Sequence, residues 1–233
     1  MNKKFEFTGE TKAILGNTLH RIRALISFGE VGAGELGGWI EKEENLDASG
    51  NAWVYGNAQV YGNAQVSGNA QVYGNACVYG DAWVSGNARV SGNARVYGDA
   101  RVSGNAWVYG DAWVFGNARV YGIARLSGNA WVCGNARVDG DARVDGDARV
   151  YKCGAIFWIS NVGSRDDTAT FFACRDKKIK VIVGCFFGDL DEFAAAVQKT
   201  HGDNTHAKVY RLAIEMAKER IKMDDMPEES NDG

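Results

Sequence analysis

Cys185, His201 and His206 are the residues of this 233-residue chain whose types suit nucleophilic chemistry, a thiol with two imidazoles close behind it. An imidazole that takes the thiol proton turns a cysteine into a covalent catalyst. Cys185 is followed by Phe186 and Phe187 at what reads as a strand end, so a buried structural thiol is the plainer expectation. His201 stands just before Gly202, where a helix C-terminus favours a cation. In the turn Gly163-Ser164-Arg165, backbone amides and a guanidinium could hold an anion; an ordinary loop with a solvated arginine is the plainer alternative. Ser164, Arg165, Cys185, His201 and His206 are thus the candidate ligand-binding residues. No catalytic residue is assigned, and neither a metal nor a cofactor is expected.

Two further chemistries are weaker. Asp81 and Asp99 are eighteen residues apart, and a cation could sit between them if they share a corner, although Asp is a common corner residue. Arg, Trp and Tyr interleave through residues 50–151 in a way that could stack bases of single-stranded nucleic acid. That stretch holds eight Arg against seven Asp, and the whole chain carries a formal charge of −3, so the phosphate-directed term is weak. Nucleic acid is therefore not expected as a partner.

The element that positions these groups counts in sixes. Gly-Asn/Asp-Ala begins at Gly50 and returns every sixth residue to Gly146, seventeen hexads in all, with only Ile123 departing at the Asn/Asp position. A short fixed period of this length means a stack of identical units, a parallel β-solenoid. Within the order Ala-x-Val-x-Gly-Asn/Asp, Ala and Val alternate with variable residues, so the fixed side chains share one face. Gly followed by Asn or Asp supplies a left-handed corner. Three such units make an eighteen-residue triangular coil. Roughly six coils at about 4.8 Å predict a prism on the order of 28 Å long.

Sorting the outward residues by eighteen gives three unequal flanks. One stacks Tyr61, Tyr79, Tyr97, Phe115, Cys133 and Tyr151 beside Gln59, Cys77, Arg95, Trp113, Trp131 and Arg149. A second pairs Trp53, Gln71, Arg89, Trp107, Arg125 and Arg143 with Tyr55, Tyr73, Ser91, Tyr109, Ser127 and Asp145. The third, through Trp83, Arg101, Arg119 and Arg137, is more polar. The aromatic strip on the first flank has two readings. It could be a ladder that stabilises coil on coil, or more apolar surface than a monomer leaves in water. The second makes Tyr61, Tyr79, Tyr97, Trp113, Phe115, Trp131 and Tyr151 a subunit interface, with a homotrimer expected.

Four regions follow: a leader and cap at 1–49, the repeat at 50–151, a C-terminal α+β domain at 152–223, and an acidic tail at 224–233 expected to be disordered. The cap has to cover an exposed strand edge. Phe5, Phe7, Leu15, Leu19, Ile22, Leu25, Ile26 and Phe28 are its apolar residues, with Gly32, Gly34, Gly37 and Gly38 for turns. The C-terminal domain reads as strands at 155–160, 168–174 and 179–183. Asp189 and Glu192 form a capping box before a helix at 190–200, and Thr205 starts a second helix. The N-terminus lacks the apolar core of a signal peptide, no stretch is long and apolar enough for a membrane span, and the five Cys have no paired spacing. A cytoplasmic location with reduced thiols, and no membrane partner, is the expectation.

The six-residue pattern resembles the hexapeptide repeat of left-handed parallel β-helix proteins, and that resemblance alone implies the hand. The run Leu19-His20-Arg21-Ile22-Arg23-Ala24-Leu25, then Val31–Glu41, Glu44-Asn45-Leu46 and Gly50–Val54, resembles the leader of phage- and prophage-type hexapeptide-repeat proteins. The resemblance implies a scaffold and a source, and carries over no catalytic residue. Acyltransferases and carbonic-anhydrase-like enzymes on similar solenoids use histidines of the coils, and residues 50–151 contain none. A non-enzymatic, oligomeric binding protein is therefore expected, one that engages a host macromolecule or sequesters a small anionic ligand, with countering host defence as the expected purpose. The alternatives are a virion-associated scaffold and a Cys185-dependent enzyme.

Overall fold

A computed structural model describes residues 3–223. The acidic tail lies outside the described residues. The protein is mainly β: a parallel β-solenoid of about six coils with an antiparallel head and a small C-terminal α+β unit.

The solenoid consists of seventeen two-residue strands, β4 (Trp53–Val54) to β20 (Arg149–Val150), one per hexad. Each except the last three pairs in parallel with the strand eighteen residues on, as Trp53 with Gln71 and Arg95 with Trp113. Three sheets result, one per flank. Every repeat Ala and Val, with Leu126, is buried, so the interior is a dry aliphatic column. The corners need glycine twice over. Gly98 sits at φ +68°, and a Cβ there would lie 3.0 Å from the amide nitrogen of Gly116 in the next coil. Beside the glycines, corner amides stack: Asn51 donates to Asn69 (3.1 Å), Asn69 to Asn87 (3.0 Å) and Asn87 to Asn105 (2.9 Å).

The stack has a direction. Each coil's N–H groups donate to carbonyls of the coil after it, as Trp53 N to Ala70 O (3.0 Å) and Trp113 N to Ala130 O (2.8 Å). The N-terminal end therefore presents bare carbonyls and the C-terminal end bare N–H groups, and each needs partners of opposite kind.

At the N-terminal end, β1 (Phe5–Ile14) and β2 (Asn17–Ala24) form an antiparallel hairpin, and β3 (Leu36–Ile40) joins them to the first sheet. Phe5, Leu19 and Ile22 are buried. Leu15 at the hairpin tip is 89% exposed, and Leu25 and Ile26 just past β2 also face solvent, so these three do not contribute to the buried part of the cap. Gly37 and Gly38 are not turn residues either. They lie within β3, where a Cβ on Gly37 would be 2.6 Å from Ile22 Cγ1 and one on Gly38 2.7 Å from Ala58 O. Their role is close approach rather than bending. The bare carbonyls are met by side chains: Asn45 Nδ2 donates to Gly62 O (3.1 Å) and Ala64 O (2.8 Å), and Lys4 Nζ to Ala52 O (2.7 Å).

Past the last coil, β21 (Ile156–Val162), β22 (Asp167–Ala173), β23 (Ile179–Val183) and β24 (Phe186–Asp189) form an antiparallel sheet in sequence order. Helices α1 (Leu190–His201) and α2 (Thr205–Arg220) follow. The sequence reading gave three strands; Phe186–Asp189 is a fourth, too short and too close to the helix to show as one. Asp189 and Glu192 make the expected capping box, whereas α2 is capped by Asn204 rather than Thr205. β22 rests on the solenoid end and supplies an acceptor there, Arg143 N donating to Thr170 Oγ1 (3.0 Å).

Candidate functional site

Four of the five candidate ligand residues converge. The Gly163–Arg165 turn leaves β21 and ends on Asp166 at φ +52°. Gly163 permits this approach, since a Cβ there would collide with the Tyr210 hydroxyl. Ser164 and Arg165 from that turn, Cys185 from the β23–β24 turn and His201 from the end of α1 line one cleft of about 420 Å³. Val183, Phe186, Phe193 and Val197 form its apolar side, and Tyr210 closes one wall. Phe193 packs edge-on against Tyr210 at 5.3 Å and beside Phe186 at 5.1 Å, which fixes the apolar side.

His201 is held in place by the turn behind it. Arg211 reaches back from α2 to Gly202 O (2.8 Å) and Asp203 Oδ1 (2.9 Å), and so locks the α1–α2 corner. His206 does not line the cleft. It packs against His201 at 5.7 Å from the far side.

Cys185 is exposed, which corrects the expectation of a buried structural thiol. It follows the turn at Gly184 (φ +57°), and the partly buried Phe186 beside it packs against the core. The buried thiol is Cys174, whose pKa burial pushes up to about 12. Cys185 and His201 share the cleft with no hydrogen bond between them, and Arg165, Ser164, Thr200 and the acidic Asp167 also line it, so the arrangement is a recess of mixed polar groups rather than an assembled thiol–imidazole pair.

The aromatic residues of the first flank form continuous stacks. Tyr61 and Tyr79 lie 5.0 Å apart, Tyr79 and Tyr97 4.8 Å, Tyr97 and Phe115 5.0 Å, all within 3° of parallel. Trp113 stacks on Trp131 at 5.1 Å, with Arg95 over Trp113 (4.8 Å) and Arg149 over Trp131 (4.2 Å). Cys133 ends the ring column before Tyr151, whose hydroxyl donates to Lys222 O (3.3 Å). Each ring covers the faces of its neighbours, so what the strip presents outward is ring edges and hydroxyls. Burial raises the tyrosine pKa values, to about 12 for Tyr61 and Tyr97.

The sequence reading passed over Lys4. Its ammonium is buried and lies 4.5 Å from the Phe28 ring centroid, and desolvation lowers its pKa to about 8. The only sequence signal was an ordinary lysine beside Phe5.

No curated protein matches the chain. The family described as YdcK Beta solenoid repeat matches it in five overlapping segments, 70–86, 82–98, 88–102, 94–110 and 100–114. These begin at multiples of six residues from one another, in step with the hexads. The protein is a β-solenoid repeat protein whose residues 70–114 are similar to the YdcK Beta solenoid repeat.

Proposed function

We propose that this is a non-enzymatic binding protein of phage or prophage type. In this reading it works in the cytoplasm of the bacterial host and sequesters a small anionic ligand in the cleft between Ser164, Arg165, Cys185 and His201. The observation that carries the reading is their convergence, from three separate turns and helix ends, on one recess of about 420 Å³ with an apolar side and a guanidinium at its rim. Small-molecule sites have this character: mostly apolar walls with a few convergent polar groups. An anion would be held by Arg165 with the Ser164 hydroxyl.

The hexapeptide-type solenoid serves here as a rigid stalk, and the aromatic strip as the contact between three copies of the chain. Removal of a signalling or nutrient anion from the host would blunt a host defence that depends on it. The test is a thermal-shift screen of nucleotides and small phosphorylated metabolites against the wild type and Arg165→Ala. Stabilisation by an anion that is lost in Arg165→Ala supports the reading; no stabilisation by any of them defeats it.

A second reading is a scaffold within the virion. It draws on the regularity of the coils and on the dedicated side-chain caps at the N-terminal end, which suit a spacer of fixed length. Mass spectrometry of purified particles separates the two, since presence in the virion favours the scaffold.

A further inference from the structure

We infer a second ligand site, between the solenoid and the C-terminal sheet, that takes a planar ring carrying a single phosphate group. A recess of about 260 Å³ is lined by Arg125, Arg143 and Tyr109 of the solenoid's second flank and by Phe187 and the Gly184–Cys185 turn opposite. Only the Gly184–Cys185 turn and Phe186 separate it from the cleft described above.

Arg125 and Arg143 are register partners on adjacent coils, so two side chains of like charge emerge at neighbouring positions of one sheet. Direct pairing of like charges is unfavourable. Neither has a carboxylate within ion-pair distance among the described residues. Arg143 makes one long contact to Gly184 O (3.4 Å), and Arg125 lies over Trp107 at 5.5 Å. Both are exposed, and stacking on Trp107 already orients the Arg125 plane. Two adjacent forks with most of their donors unused match the oxygens of a phosphate, which accepts bidentate bonds from arginine. The recess holds one carboxylate, Asp145, whose Oδ1 accepts from Gly146 N (2.7 Å), and the same two arginines also line a neighbouring recess with Asp141, Asp166 and Asp167, none of them within ion-pair distance.

The aromatic residues supply the second half of the recognition. Phe187 is 49% exposed and Tyr109 38%, and they belong to different parts of the fold. Phe187 is seated against Gly146, where a Cβ would lie 3.0 Å from its ring. Two partly exposed aromatic side chains, Phe187 with Lys180 Nζ 5.6 Å from its ring centroid, stand beside the arginine pair and suit a flat ring with a charged substituent. The volume limits the ligand to about one ring system with its phosphate, below the usual range for larger ligands.

The probe is adenosine monophosphate, titrated calorimetrically into the full chain, with adenosine and inorganic phosphate in parallel. Binding is expected for the monophosphate and to be weaker for either half alone. Arg125→Gln and Arg143→Gln should each weaken it by at least about tenfold, the loss of a charged hydrogen bond. Phe187→Ala should weaken it as well. The three side chains are exposed, and matching thermal midpoints would show that the variants fold. The inference is overturned if the monophosphate does not bind, if binding ignores Arg125 and Arg143, or if phosphate alone binds as tightly. Loss in Arg165→Ala alone would place the ligand in the neighbouring cleft, against this site and in favour of that one.

Discussion

Lys4 Nζ donates to the carbonyl of Ala52 across 2.7 Å and to that of Asp47 across 3.1 Å, joining the start of the chain to the first solenoid coil. A regular preceding coil would have offered the Ala52 oxygen a backbone N–H, as every later coil is offered one. A lysine has donors and no acceptor, which is what the carbonyl end of a parallel stack requires. Thr170 plays the opposite part at the other end, where N–H groups need acceptors.

Burial makes Lys4 a pH-dependent cap. Its pKa falls from 10.5 to about 8 in the fold, chiefly by desolvation, with Asp47 opposing. Between those values the unfolded chain holds a proton that the folded chain has released, so stability should rise with pH from about 8 toward 10.5, by at most about 3 kcal/mol. Below pH 8 both states are protonated and the slope vanishes. In Lys4→Met the rise should disappear. Near pH 10 the variant should be less stable than wild type by about 1–3 kcal/mol, the cost of bare buried acceptors. Urea midpoints across this range are the measurement, and parallel curves for the two proteins would refute the role.

The tyrosine column works in the other direction. Burial raises Tyr61 and Tyr97 from 10.0 to about 12, so the folded chain keeps protons that the unfolded chain gives up. Their contribution is complete below about pH 10 and is lost as pH rises toward 12. Tyrosinate absorbance should lag behind free tyrosine in this window and then appear together with loss of the β-sheet circular dichroism. Ionisation of all tyrosines at the free value would contradict the stacked geometry.

Ile123 breaks a working ladder. The amides of Asn51, Asn69, Asn87 and Asn105 pass hydrogen bonds down one corner, and the next position is an isoleucine 49% exposed. Ile123→Asn should restore the rung and raise stability by about 0.5–1.5 kcal/mol, the usual net worth of a hydrogen bond. A thermal midpoint equal to or below that of wild type would show that the ladder carries no stability at this rung.

Tyr97→Glu with Phe115→Glu tests the proposed contact between copies. The two rings stack at 5.0 Å in the middle of the strip. Two carboxylates there should reduce the molar mass seen by light scattering from that of a trimer to that of a single chain. A mass unchanged from wild type would rule out the strip as the subunit contact.

The sequence alone was enough for the solenoid. Seventeen unbroken hexads leave no freedom of register, because a slip of one residue would turn every Val outward, and so the eighteen-residue columns follow from the sequence. Tyr97 on Phe115 and Trp113 on Trp131 follow from that periodicity alone. Beyond Tyr151 the period stops, and with it the means of knowing which residues meet. Ser164, Arg165 and His201 carried the right chemistry in the sequence. That they share a cleft, that Cys185 faces outward, and that Phe187 comes to rest opposite Arg125 and Arg143 depended on how an antiparallel sheet seats on the N–H end of the stack. Lys4 was equally silent. A local pattern records what repeats along a chain, whereas the partner of a single buried ammonium is set by the three-dimensional position of one carbonyl that its own coil left bare.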